Sequence, residues 1–80
     1  MKAIGWAPKR NRDGLVVPNC WITDAGYVVA EYLVDQQKVF TVTAPGGGVA
    51  LAYRRTRQGV VGAIRRHMAG KTVEKFEGGE

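Results

Sequence analysis

Cys20 and His67 are the two side chains in this sequence that could serve as soft metal ligands or as a nucleophile and its base. A zinc site gathers four such ligands, usually in closely spaced pairs, and neither residue has a companion at that spacing. A Cys–His nucleophile also needs an Asn or Asp to orient the imidazole, and a pocket for the substrate. Asn19 and Asp24 flank Cys20, yet no spacing joins them to His67. Asp24, Glu31 and Asp35 lie apart on turns and a strand, so paired carboxylate chemistry has no framework either. The expectation is a protein without catalysis, metal or cofactor, with Cys20 a small packed hydrophobe beside Trp21 and His67 a boundary residue.

Two glycine motifs invite phosphate or RNA readings and fail them. Pro45-Gly46-Gly47-Gly48 lacks the Gly-Lys-Ser/Thr ending of a phosphate loop and runs into a strand-like stretch, so it reads as a turn. Gly59-Val60-Val61-Gly62 fits the loop of a KH domain but falls inside an amphipathic helical run.

The cationic side chains carry more information. The formal charge is +5, and it is unevenly placed. Residues 36–73 contain no acid, while Lys38, Arg54, Arg55, Arg57, Arg65, Arg66 and Lys71 all fall there. Most of these flank or sit on a helical segment. A helical wheel puts Arg65 and Arg66 on or beside its outer face, near Gln58, Gly62 and Ala69. Arginine's planar fork binds carboxylate or phosphate with two hydrogen bonds. A continuous arginine surface therefore attracts a polyanion, and salt weakens the attraction. Solubility alone would be served better by mixed signs. The candidate contact residues are Arg54, Arg55, Arg57, Gln58, Gly62, Arg65, Arg66 and Lys71, assisted by Lys9, Arg10 and Arg12 from the N-terminal segment.

Gly59 and Gly62 each cost a helix about 1 kcal/mol relative to alanine. With Ala69 they form a smooth strip that another surface can approach closely. Trp6, Trp21, Tyr27, Tyr32, Phe40 and Tyr53 could form a stacking platform for unpaired bases, but their strand spacing assigns most of them to the core. Tyr27, grouped with Glu31, is the one expected to be exposed.

The elements that position these residues follow from periodicity. Residues 1–14 read as a basic arm or irregular lead-in, with Ile4 and Trp6 as anchors. Leu15-Val16-Val17 is a short β-prone run ended or confined to an edge by Pro18, and Cys20–Thr23 is a second piece of it. Tyr27–Val34 and Lys38–Thr43 form a hairpin joined by Asp35-Gln36-Gln37. Val28, Ala30, Tyr32 and Val34 share one strand face; Glu31 marks the other, with Tyr27, Val29 and Leu33, as the more solvated. Val49–Tyr53 resumes as strand. Thr56 is the N-cap candidate of a helix over 56–69 whose stripe is Val60, Val61, Ile64 and Met68. Residues 71–80 make a short strand or tail. The strands thus occupy 15–54.

Eighty residues make one domain with a small core, and 45% hydrophobic content is too high for a disordered chain. The expected class is α+β: a two-layer domain with an antiparallel sheet of three to four strands packed by one helix in the C-terminal half. A lone cysteine fits a reducing compartment, and no secretory-signal or membrane-span pattern appears. The expectation is cytoplasmic.

In size and economy the whole chain resembles the small phage-encoded proteins of one sheet and one helix, among them the anti-CRISPR proteins. That resemblance implies a stoichiometric inhibitor without catalysis that occupies a surface of a CRISPR effector and works in the host cytoplasm. Many such inhibitors are acidic and look like DNA mimics, and the positive balance here departs from them. The implied partner is an acidic protein patch or exposed nucleic acid within a nucleoprotein complex. Direct binding of nucleic acid is the alternative.

Overall fold

The computed structural model describes residues 4–76. Its elements are β1 (Trp6–Arg10), β2 (Val16–Thr23), β3 (Val28–Val34), β4 (Gln37–Thr43), β5 (Ala52–Arg54) and α1 (Arg57–Met68). The strands form one antiparallel meander in the order β1-β2-β3-β4-β5. The helix packs on one face, against β4 and β5. This is an α+β domain, with five strands where three to four were expected.

The additional strand is β1, which replaces the expected irregular arm over 6–10. Pro8 is tolerated there because β1 is an edge strand and a missing N–H can face outward. Trp6 pairs with Thr23 and Pro8 with Trp21, after which the register shifts before Arg10 meets Val16. Pro18 does not end β2; the strand runs through it, with Asn19 at φ 57° inside the irregular stretch. β2 then pairs with β3 only from Cys20 to Ile22.

The β3–β4 hairpin is as expected but tighter. Asp35 and Gln36 alone form its turn, both at positive φ (51° and 65°), and Gln37 already belongs to β4. Positive φ at both central positions matches the right-handed twist of the flanking strands. After β4, Gly46, Gly47 and Gly48 all take positive φ, which explains the glycine run. The expected strand over 49–53 is confined to 52–54, and Val49 is exposed.

The helix covers the face opposite to the expected one, although Ala30 on the expected face is buried as well. Tyr27 is 4% exposed and Val29 fully buried, whereas Tyr32 is 56% exposed. Val29, Val42 and Ala52 sit opposite one another on β3, β4 and β5, and Val60, Ala63 and Ile64 of the helix close over them. The helical stripe is rotated accordingly. Ala63 is buried with Val60 and Ile64, and the exposed His67 reaches the sheet only through its ring, while Met68 is 59% exposed. Ala52 and Ala63 are small, and small residues let a helix lie close to a sheet.

Local chemistry at the helix ends follows expectation. Thr56 has extended backbone angles, and its Oγ1 accepts a hydrogen bond from the Gly59 N–H at 3.0 Å. Gly70 at φ 76° ends the helix, with the Lys71 N–H donating to Arg66 O at 2.9 Å. Residues 71–76 form no strand, yet the Tyr53 N–H donates to Lys75 O at 2.6 Å, so this segment runs beside β5. The polar end expected to fray, 77–80, lies outside the described residues.

Candidate functional site

Cys20 and His67 stand on opposite sides of the sheet. Cys20 is opposite Ala30 on the face without a helix, while His67 lies on the helix that covers the other face. His67 Nδ1 shares a hydrogen bond of 2.6 Å with the buried Tyr27 hydroxyl, and the two rings meet edge-on. The pair ties the last turn of α1 to the sheet, which accounts for a histidine at the edge of the apolar stripe. Among the described residues no group of three or more His, Cys, Asp or Glu is placed to hold a metal ion. No helix there is long and apolar enough to cross a membrane.

The arginines divide into three groups. Arg54 and Arg66 hold the segment after the helix. Arg54 donates from Nη1 to Tyr53 O (2.7 Å) and Lys75 O (3.3 Å), and from Nη2 to Glu74 O (2.8 Å). Arg66 Nε donates to Thr72 O at 3.1 Å. Their acceptors are neutral carbonyls, so both guanidinium charges remain uncompensated by these bonds. Arg57, the first residue of α1, instead turns toward β1, its Cζ lying 4.3 Å from the Trp6 ring centroid. Arg55 and Arg65 each make an intramolecular contact of their own, and Arg65 is half-buried with an unbonded Nε.

The outward side of α1 carries Gln58, Gly62 and Arg66, all exposed, with Ala69 just past its end. A Cβ built on Gly62 meets nothing within 4 Å, so the strip there is open. Gly59 differs. A Cβ there would lie 3.2 Å from Arg54 Cβ and 3.3 Å from Arg54 Cδ. The surface that approaches Gly59 is the chain's own Arg54 stem. Lys71 is exposed just beyond the helix.

Lys9, Arg10 and Arg12 belong to a different part of the molecule. Lys9 and Arg10 lie in β1, the strand farthest from β5, and Arg10 Nη1 donates to Gly14 O at 2.7 Å within its own loop. Asn11 Oδ1 accepts from the N–H groups of Asp13 and Leu15 and shapes that loop. The basic residues of this segment are thus held in a folded edge, not in an arm.

One feature was not expressed by spacing at all. The helix covers the β4–β5 side of its face, and near β1 and β2 that face is furnished by aromatic rings. Trp6 and Trp21 lie 6.0 Å apart at 52°. With Pro8, Phe40, Glu31 and Arg57 they line a half-open pocket of about 300 Å³. Glu31 marks a margin that the helix does not cover, and it has Lys38 3.9 Å away. The aromatic types were visible in the sequence, but their convergence depends on β1 being a strand.

No protein-family model, curated protein or solved structure matches this chain.

Proposed function

We propose that the chain is a non-catalytic inhibitor that docks on a nucleoprotein through the outward side of its helix, as its likeness to anti-CRISPR proteins implies. Its target is a CRISPR effector complex, and docking blocks target DNA from binding. The observation that supports this most is the composition of one exposed side. Gln58, Gly62, Arg66 and Lys71 follow one another from α1 into the next segment in a stretch that contains no acid from 36 to 73. Arg54, Arg55, Arg57 and Arg65 add charge around it. The open backbone at Gly62 gives a partner close access, and the absence of an acid in the first helical turn leaves the positive dipole end uncompensated.

A local rule is broken here in a way that favours recognition. An acid near Gln58 would stabilise the helix, and alanine at Gly62 would do the same, yet neither is present. The test exploits this. Gln58→Glu with Gly62→Glu places two acids on the strip without disturbing a contact. The double variant should lose inhibition of target-DNA binding by an effector–guide complex at least tenfold, while its melting temperature is no lower than that of the wild type. Undiminished inhibition by that variant would remove the helix side from the mechanism.

The alternative, direct binding of nucleic acid, is favoured by the aromatic pocket beside Arg57.

A further inference from the structure

We infer that the pocket between Trp6, Trp21 and Phe40 receives a single unpaired nucleobase, which makes the exposed nucleic acid of a nucleoprotein the ligand of this part of the surface. The inference rests on the reading of the basic side as one that meets nucleic acid, and it assigns that contact a second, chemically distinct component.

The site is assembled from four strands and the helix. Trp6 and Pro8 come from β1, Trp21 from β2, Glu31 from β3 and Phe40 from β4. Pro8 lies directly opposite Trp21, and Glu31 directly opposite Phe40, so all four point to the helix-bearing face. The volume, about 300 Å³, is at the small end of ligand sites. It accommodates one base with part of its sugar and is far too small for a duplex.

The chemistry of the walls selects among flat and cationic ligands. The aromatic rings of the wall offer π-faces and edges on which any base can stack, one face of Trp6 being already covered by the Arg57 guanidinium. The same rings could in principle attract a quaternary ammonium group. Arg57 decides against that, because its guanidinium already lies over the Trp6 ring and would repel a second cation. The same charge favours the phosphate that accompanies a base. Glu31 is acceptor-only when ionised, with a side chain 21% exposed. It fits an exocyclic amine at the edge of the base, the group that thymine and uracil lack, as carboxylates do with the cytosine amino group. Cytosine, adenine and guanine should therefore be accepted over thymine and uracil.

Both tryptophans of the chain line this pocket, so intrinsic fluorescence reports the site directly. Short single-stranded oligo-dC and oligo-dA should quench it saturably, oligo-dT should bind several-fold more weakly, and a duplex should quench little. Phe40→Ala should weaken quenching by roughly tenfold. Since Phe40 also packs against the core, Glu31→Gln provides the independent arm: it should keep quenching by oligo-dC but abolish the preference over oligo-dT. The Gln58→Glu, Gly62→Glu variant changes the outward side of the helix and leaves the pocket intact. Loss of inhibition with quenching retained would therefore confirm both sites, and retained inhibition with quenching would overturn only the docking surface. Absence of quenching by every single strand, or equal quenching by tetramethylammonium, would overturn the base pocket and leave the docking surface standing.

Discussion

Gly59 and Gly62 look equivalent in sequence and are not equivalent in space. Both are helical, and either should gain about 0.5–1 kcal/mol from alanine in an open environment. At Gly62 nothing would meet the new methyl group within 4 Å. At Gly59 it would press on the Arg54 stem at 3.2 Å and the capping Thr56 hydroxyl at 3.3 Å. Gly62→Ala should therefore raise stability by most of that amount in urea denaturation, and Gly59→Ala should gain less or lose. Equal gains would mean that Arg54 yields freely and that its packing on the helix is loose. The comparison also bears on function, since retention of glycine at a site where alanine is more stable is best explained by what must approach it. Tyr27 illustrates the same residue-scale lesson. Its neighbour Glu31 labelled their shared strand face as solvated, but one strand face need not have one environment along its length. The helix covers Tyr27 and Val29, then leaves Glu31 at the pocket's margin and Leu33 at 73% exposure.

At the scale of elements, the legible parts were those governed by local chemistry. The β3–β4 hairpin, the Thr56 cap and the Gly70 stop each depend on a few adjacent residues, and each could be read directly. β1 was hidden because its only local signals, Pro8 and a cluster of bases, argue for an irregular segment. Pairing with β2 outweighs them once Trp6 can pack beside Trp21 and against the core. In α1, hydrophobicity alone points to Val61 and Met68 beside Val60 and Ile64, ahead of Ala63 and His67. Close approach to the sheet favours small Ala63, and the Tyr27 hydroxyl gives His67 a partner. The segment after the helix is a third case, held by arginine donors and by Phe76 stacked on Tyr53 at 5.2 Å. Arg54→Ala removes three hydrogen bonds to backbone carbonyls. It should cost about 1–2 kcal/mol and speed hydrogen exchange at the Tyr53 amide, which donates to Lys75, beyond the change at Val42 in the core. Unchanged exchange at Tyr53 would show that Arg54 does not fasten this segment.

For the molecule as a whole, the question is whether recognition depends on total charge or on its placement. The sheet separates two environments: one face carries α1 and the aromatic pocket, and the other carries Cys20, Tyr32, Val34 and Gln37 without a covering helix. A point charge in water is felt over roughly a Debye length, about 8 Å at physiological ionic strength. That is short compared with a molecule 40 Å in its longest dimension. Gln58→Glu and Gln37→Glu lower the formal charge identically, from +5 to +4. One places its acid on the helix side, the other beside the hairpin turn on the opposite face. If placement governs binding, Gln58→Glu should leave a heparin column at distinctly lower salt than the wild type, while Gln37→Glu elutes close to it. The helix-side variant should be no less stable, because its new carboxylate lies at the positive end of the helix dipole. Equal shifts for the two variants would reduce the arginine side to a contribution to net charge, and the docking surface proposed for it would lose its physical basis.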